Sequence, residues 1–93
     1  MLRVNEYFEG KVKSIALENI SGKSTVGVME IGDYEFGTST VEYMSVVSGA
    51  LTVLLPGETE WKTFSKGETF MVPANAKFKL KVAEQTAYYC LYV

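Results

Sequence analysis

Short runs of alternating or continuous apolar residues, each stopped by Gly, Pro, Asn, Asp or Ser, follow one another along the whole chain. No run is long enough, or periodic enough at 3.6 residues, to predict a helix. The first alternating run is Lys11-Val12-Lys13-Ser14-Ile15. The turn cluster Asn19 to Lys23 separates it from Thr25 to Met29, and Gly32-Asp33 precedes Tyr34-Glu35-Phe36. Met44 to Val47 and Leu51 to Leu55 flank Ser48-Gly49-Ala50, which predicts a tight hairpin with Gly49 at positive φ. Short strands follow at Trp61 to Phe64 and at Thr69 to Val72, the second stopped by Pro73-Ala74-Asn75. Lys77 to Val82 alternates most cleanly, with Phe78, Leu80 and Val82 on one face and three lysines on the other, solvated face. Ala87 to Val93 is apolar on both faces, so both must be covered, inside a barrel or against a second subunit.

Many short strands with Gly and Pro punctuation predict an all-β sandwich or barrel, and full closure would remove exposed strand edges. Periodicity alone leaves the jelly roll and the OB-fold both open. At 93 residues the chain is expected to form a single domain, residues 1–93. Its 47% hydrophobic and 22% charged residues are those of a chain that folds. A net charge of -2 provides no field to attract phosphate backbones, so nucleic acid is not an expected partner. An OB-like nucleic-acid binder would rest on Lys77, Lys79 and Lys81 alone. The single cysteine, Cys90, lies among apolar residues and reads as a buried thiol in a reducing compartment. No stretch has the length of a membrane span and the N-terminus lacks the apolar core of a signal peptide, so a cytoplasmic protein with no membrane partner is expected.

Two spaced patterns narrow the fold. Glu42 followed after six residues by Gly49, and Gly67 followed after five by Pro73, resemble the glycine, glutamate and proline framework of the two cupin motifs. That resemblance implies a cupin double-stranded β-helix, or jelly-roll barrel. It puts the metal-ligand positions at Phe36, Thr38, Glu42 and Phe78, where only the glutamate is a ligand type. The chain has no histidine, so no metal and no cofactor are expected. Further segments, Asn5-Glu6-Tyr7-Phe8, Gly10 to Ile15, Val26 to Met29, Ser48 to Leu51 and Val53 to Pro56, resemble the small bacterial pyrimidine/purine nucleoside phosphorylases along the full length. The resemblance implies a metal-free enzyme that splits many nucleosides with inorganic phosphate, giving free base and ribose 1-phosphate. A metal-free cupin that binds a small sugar or nucleotide without turnover is the alternative.

Phosphorolysis needs an anion-binding corner, negative charge beside a ribosyl group of oxocarbenium character, and help for the departing base. Lys13 is the candidate for phosphate, with Lys11 and the backbone around Ser48 and Gly49 in support; otherwise Lys13 is an exposed edge-strand lysine. Glu42 is the principal catalytic candidate, holding ribose hydroxyls and opposing charge at the anomeric carbon, against its plain reading as a solvated carboxylate. Thr38 could bond the sugar or the base, or be an ordinary β-branched strand residue. Phe36 and Phe78 could stack on bases of either kind, or merely fill the space of absent ligands. Tyr88 or Tyr92 could protonate the leaving base, at least one of them being structural. A homodimer is expected because the apolar C-terminal strand and the small core both gain from a symmetric interface.

Overall fold

Inward and outward alternation decides what each segment of this chain does. In Lys77–Val82 the residues Phe78, Leu80 and Val82 are buried while Lys77, Lys79 and Lys81 are exposed, a period-2 pattern only a strand with one covered face satisfies. The same logic recurs along a computed structural model that describes residues 1–93 and contains only strands. They are β1 (Val4–Tyr7), β2 (Val12–Asn19), β3 (Gly22–Met29), β4 (Gly32–Gly37), β5 (Glu42–Ser48), β6 (Ala50–Leu54), β7 (Lys62–Ser65), β8 (Thr69–Val72), β9 (Lys77–Val82) and β10 (Thr86–Tyr92). No helix of the structure is long and apolar enough to cross a membrane.

The strands form two antiparallel sheets, one of six in the order β1-β2-β3-β10-β5-β8 and one of four in the order β4-β9-β6-β7. Their inner faces meet in a core that includes Val12, Met29, Met44, Leu51, Val53, Phe70, Val72, Phe78, Leu80 and Val82. This is the expected jelly-roll architecture. Hydrogen bonding does not run all the way round it, however: β1, β8, β4 and β7 are edges, and the barrel closes by packing. Facing side chains, each contributing about 1.5–3 kcal/mol when fully buried, take the place of a continuous ladder.

Two local expectations are corrected. Ser48-Gly49-Ala50 is not a hairpin, because β5 pairs with β10 and β8 while β6 pairs with β9 and β7. Gly49, at φ 94°, is the corner where the chain leaves one sheet for the other. The buried Thr86 hydroxyl pins that corner, accepting from Ala50 N at 3.2 Å and lying 3.0 Å from Ala50 O. The second correction is β1, an unforeseen strand. Its side chains are mostly exposed, so no alternation betrays it, and it is held as an edge by pairing Val4 to Tyr7 with Ile15 to Val12. The turn that returns it to β2 places Phe8 and Glu9 at φ 53° and 58°. Such values are uncommon for a large side chain. They lay the Phe8 ring 5.0 Å from Tyr34 and 5.4 Å from Phe36.

A Cβ added at Gly49 would meet Thr86 Oγ1 at 2.5 Å in a backbone conformation that already disfavours side chains. Gly49→Ala is therefore expected to cost roughly 1–3 kcal/mol, read as a lower melting temperature. A variant as stable as the wild type would show that the corner is not constrained in this way.

Candidate active site

A cavity of about 170 Å³ opens between the sheets. That is below the roughly 300 Å³ at which pockets usually enclose a drug-sized ligand, so it matches a sugar-sized group inside with a larger substituent at the mouth. Tyr7, Ser14, Met29, Phe36, Glu42 and Tyr88 are on its wall, with Cys90 and Tyr92 beside Glu42. The six-stranded sheet supplies most of the polar atoms, because alternation sends Tyr88, Cys90 and Tyr92 of β10 inward in succession.

Five of the sequence candidates come together here: Glu42, Tyr88, Phe36, Phe78 and Tyr92. Phe36 and Phe78 are cross-strand partners with stacked rings, centroids 6.0 Å apart. Phe78 is buried and also packs edge-on to Phe70, so it forms wall, whereas half-buried Phe36 presents ring surface at the mouth beside Tyr7. Three other candidates lie elsewhere. The Thr38 hydroxyl donates to Pro73 O at 2.6 Å and accepts from Ala76 N at 3.1 Å, clamping the turn before β9. Lys13 points to the outer face of β2, where its ammonium is 3.5 Å from Glu6 Oε1. Ser48 is exposed at the opposite end of β5 from Glu42, six residues or about 20 Å away at ~3.3 Å per residue.

Two hydrogen-bonded groups reach the cavity from different rows of the sheet. In the first, Asn5, Ser14, Gly27 and Tyr88 are successive cross-strand partners on β1, β2, β3 and β10. Asn5 Nδ2 donates to Ser14 Oγ at 3.3 Å, and Ser14 and Tyr88 line the cavity together. Gly27 makes the row possible, since a Cβ there would lie 2.7 Å from the Tyr88 hydroxyl. Burial pushes the Tyr88 phenol up to about 12. In the second, Thr25 Oγ1 and Tyr92 Oη are 3.0 Å apart, and the neighbouring Cys90 thiol donates to Glu42 Oε1 at 3.5 Å. Burial also drives the Cys90 thiol and the Tyr92 phenol well above their ordinary ranges. Both therefore keep their protons near neutrality. Ser14, Tyr7, Asn5 and Thr25 escaped the sequence reading: their polar side chains gain meaning only from pairings between strands distant in sequence. The inward phase of Ser14 between Lys13 and Ile15 was the available signal.

No three His, Cys, Asp or Glu side chains cluster closely enough to hold a metal. Beside Glu42 stands a protonated thiol, a poor ligand in that form. The carboxyl of Glu42 is pushed above its ordinary range by desolvation, with the Cys90 hydrogen bond pulling part of the way back.

A sequence model of the pyrimidine/purine nucleoside phosphorylase family matches residues 2–92. A protein of Shewanella halifaxensis named pyrimidine/purine nucleoside phosphorylase is 63% identical over 92 residues, 99% of each chain. Among solved structures, a protein of unknown function from Vibrio parahaemolyticus superposes with a TM-score of 0.96 at 45% identity, covering 100% of this chain and 99% of that one. An RmlC-like cupin from Shewanella frigidimarina, 17% identical, gives a TM-score of 0.74 over 96% of this chain and 80% of that one, a likeness of fold.

The native state holds the Glu42 proton more tightly than the unfolded chain does. This carboxyl therefore makes stability fall as pH rises from the ordinary carboxylate range through its raised native value. Glu42→Gln removes that titration, so the melting temperature of the variant relative to wild type is expected to increase between about pH 4 and about pH 8. A difference independent of pH would contradict the desolvated carboxyl.

Proposed function

The chain belongs to the pyrimidine/purine nucleoside phosphorylase family, and from that premise we propose that it cleaves purine and pyrimidine nucleosides with inorganic phosphate to free base and ribose 1-phosphate. The observation that carries the reading, beyond membership, is a sugar-sized cavity with one carboxylate at one end, aromatic surface at the mouth and no competing charge on its wall. In the reaction, an oxygen of HPO4(2−) bonds to C1′ as the N-glycosidic bond breaks, its electron pair passing to the base nitrogen. The proton that phosphate loses is the one the base gains, so no outside acid is consumed.

We assign Glu42 the ribose side. Its ionised carboxylate accepts from sugar hydroxyls and opposes positive charge developing at the anomeric carbon, an interaction strongest in the transition state. The Cys90 thiol, backed by Tyr92 and Thr25, orients the carboxylate. Phe36 offers the base a ring surface that does not distinguish purines from pyrimidines, which supports broad specificity. To Tyr88, on the cavity wall, we assign the role of a hydrogen-bond donor to the substrates. We read the 93 residues as one domain acting in the cytoplasm, where a free thiol such as Cys90 stays reduced.

We further propose a homodimer formed through the outer face of the six-stranded sheet. Two cross-strand rows there, Leu17-Ser24-Leu91-Tyr43-Met71 and Ile15-Val26-Tyr89-Ser45-Thr69, contain no charged residue. Ile15, Val26, Tyr43 and Met71 remain 41–48% exposed. A second copy related by a two-fold axis covers such a face without bringing like charges together.

Purified protein with uridine or adenosine should form ribose 1-phosphate only when phosphate is present, and Glu42→Gln should lower kcat by about 100-fold. No turnover with any nucleoside, or base release that ignores phosphate, would refute the phosphorylase reading; full activity in the variant would remove Glu42 from its role. Sedimentation should give twice the 10.3 kDa chain mass, reverting to monomer in Val26→Glu. A wild-type monomer at micromolar protein would count against the dimer.

A further inference from the structure

The phosphorylase reading leaves one charge unaccounted for: no Lys or Arg lines the cavity that must admit phosphate. Lys13, the nearest in sequence to a cavity residue, is directed away from it and paired with Glu6. Placement of the anion must then follow from neutral donors and from the one carboxylate present.

The two hydrogen-bonded groups end differently. The Cys90 thiol donates to Glu42, so that group ends on an acceptor. Asn5 Nδ2 donates to Ser14 Oγ, and the hydroxyls of Ser14 and Tyr88 line the cavity together as neutral donors. Cys90, which holds Glu42, and Tyr88 are two residues apart on β10, about 7 Å at ~3.3 Å per residue. The cavity thus has an acceptor end and a donor end. Tyr7 shares the cavity wall with Ser14 and Tyr88. A chain of neutral hydrogen bonds polarises its terminal donor, and in a site shielded from water such donors hold an oxyanion. Glu42 repels an anion from the other end.

Building on the phosphorylase reading, we propose that inorganic phosphate binds at the Tyr88 end, held by the hydroxyls of Tyr88 and Tyr7, with Ser14 and Asn5 as positioning residues and without a cation from the same chain. The nucleoside then lies with its ribose hydroxyls toward Glu42 and the face of C1′ that phosphate attacks toward Tyr88.

Steady-state kinetics with phosphate and uridine varied separately test this. Tyr7→Phe removes one hydroxyl from a half-exposed side chain and leaves the fold intact, and Ser14→Ala removes the hydroxyl that lines the cavity with Tyr88. Each is expected to raise the KM for phosphate about 10-fold, with the KM for uridine changed less than about twofold and the melting temperature of Tyr7→Phe unaltered. Unchanged phosphate KM values in an active Tyr7→Phe and Ser14→Ala, or a tenfold rise in Lys13→Ala instead, would overturn the placement. A wild-type protein with no phosphate-dependent turnover would overturn the phosphorylase reading itself, a separate outcome.

Discussion

The phase of β10 is the constraint on which the rest of the molecule depends. Lying between β3 and β5 in the six-stranded sheet, it sends Thr86, Tyr88 and Cys90 to the buried side and Ala87, Tyr89 and Leu91 to the other. A slip of one residue would reverse every side chain. Thr86 would leave the corner at Gly49, Cys90 would lose Glu42, and two apolar side chains with a tyrosine would exchange places with the polar groups of the cavity. Its register against β5 shifts between Ala87 and Tyr88, with Val47 the extra residue on β5, so β10 keeps one phase from the corner to the cavity.

Much of this fold could be read from the chain because burial imposes a period that composition cannot hide. Phe78, Leu80 and Val82 alternate with lysines, and the structure buries and exposes them in turn. What resisted reading was whatever depends on partners rather than phase. Gly49 announced a positive φ, and has one, yet nothing local distinguishes a hairpin from a corner between sheets; Thr86, distant in sequence, makes that difference. β1 carries no burial pattern, since it is an edge. Of the side chains singled out for chemistry, Glu42, Phe36, Phe78, Tyr88 and Tyr92 share one cavity because each lies on the inward phase of its strand. Lys13 was chosen for its charge against its phase: Val12 and Ser14 beside it are buried, which turns the lysine outward. Thr38 follows the inward phase of β4 past the end of the strand, where its hydroxyl is taken up by backbone.

A cavity with one carboxylate and otherwise neutral polar atoms is an economical arrangement for an anionic co-substrate. Burying a lysine near Glu42 would produce an ion pair whose desolvation cost can exceed its attraction. Neutral groups avoid that cost, because Asn5 bonds Ser14, Thr25 bonds Tyr92 and no buried side-chain polar atom lacks a partner. Donors held in this way need little reorganisation at the moment of reaction.

The two outer faces of the molecule differ sharply. One, on the six-stranded sheet, carries two uncharged rows beside the Lys13–Glu6 ion pair; the other, on the four-stranded sheet, carries Lys77, Lys79 and Lys81 opposite Gly37, Glu35 and Asp33, with the Lys81 ammonium 4.4 Å from the Trp61 ring centre. On the homodimer proposed above, association is confined to a single side of each copy. Growth then stops at a closed pair, because the surfaces left outward are hydrated and charged, and a small β protein with four open strand edges is kept from polymerising.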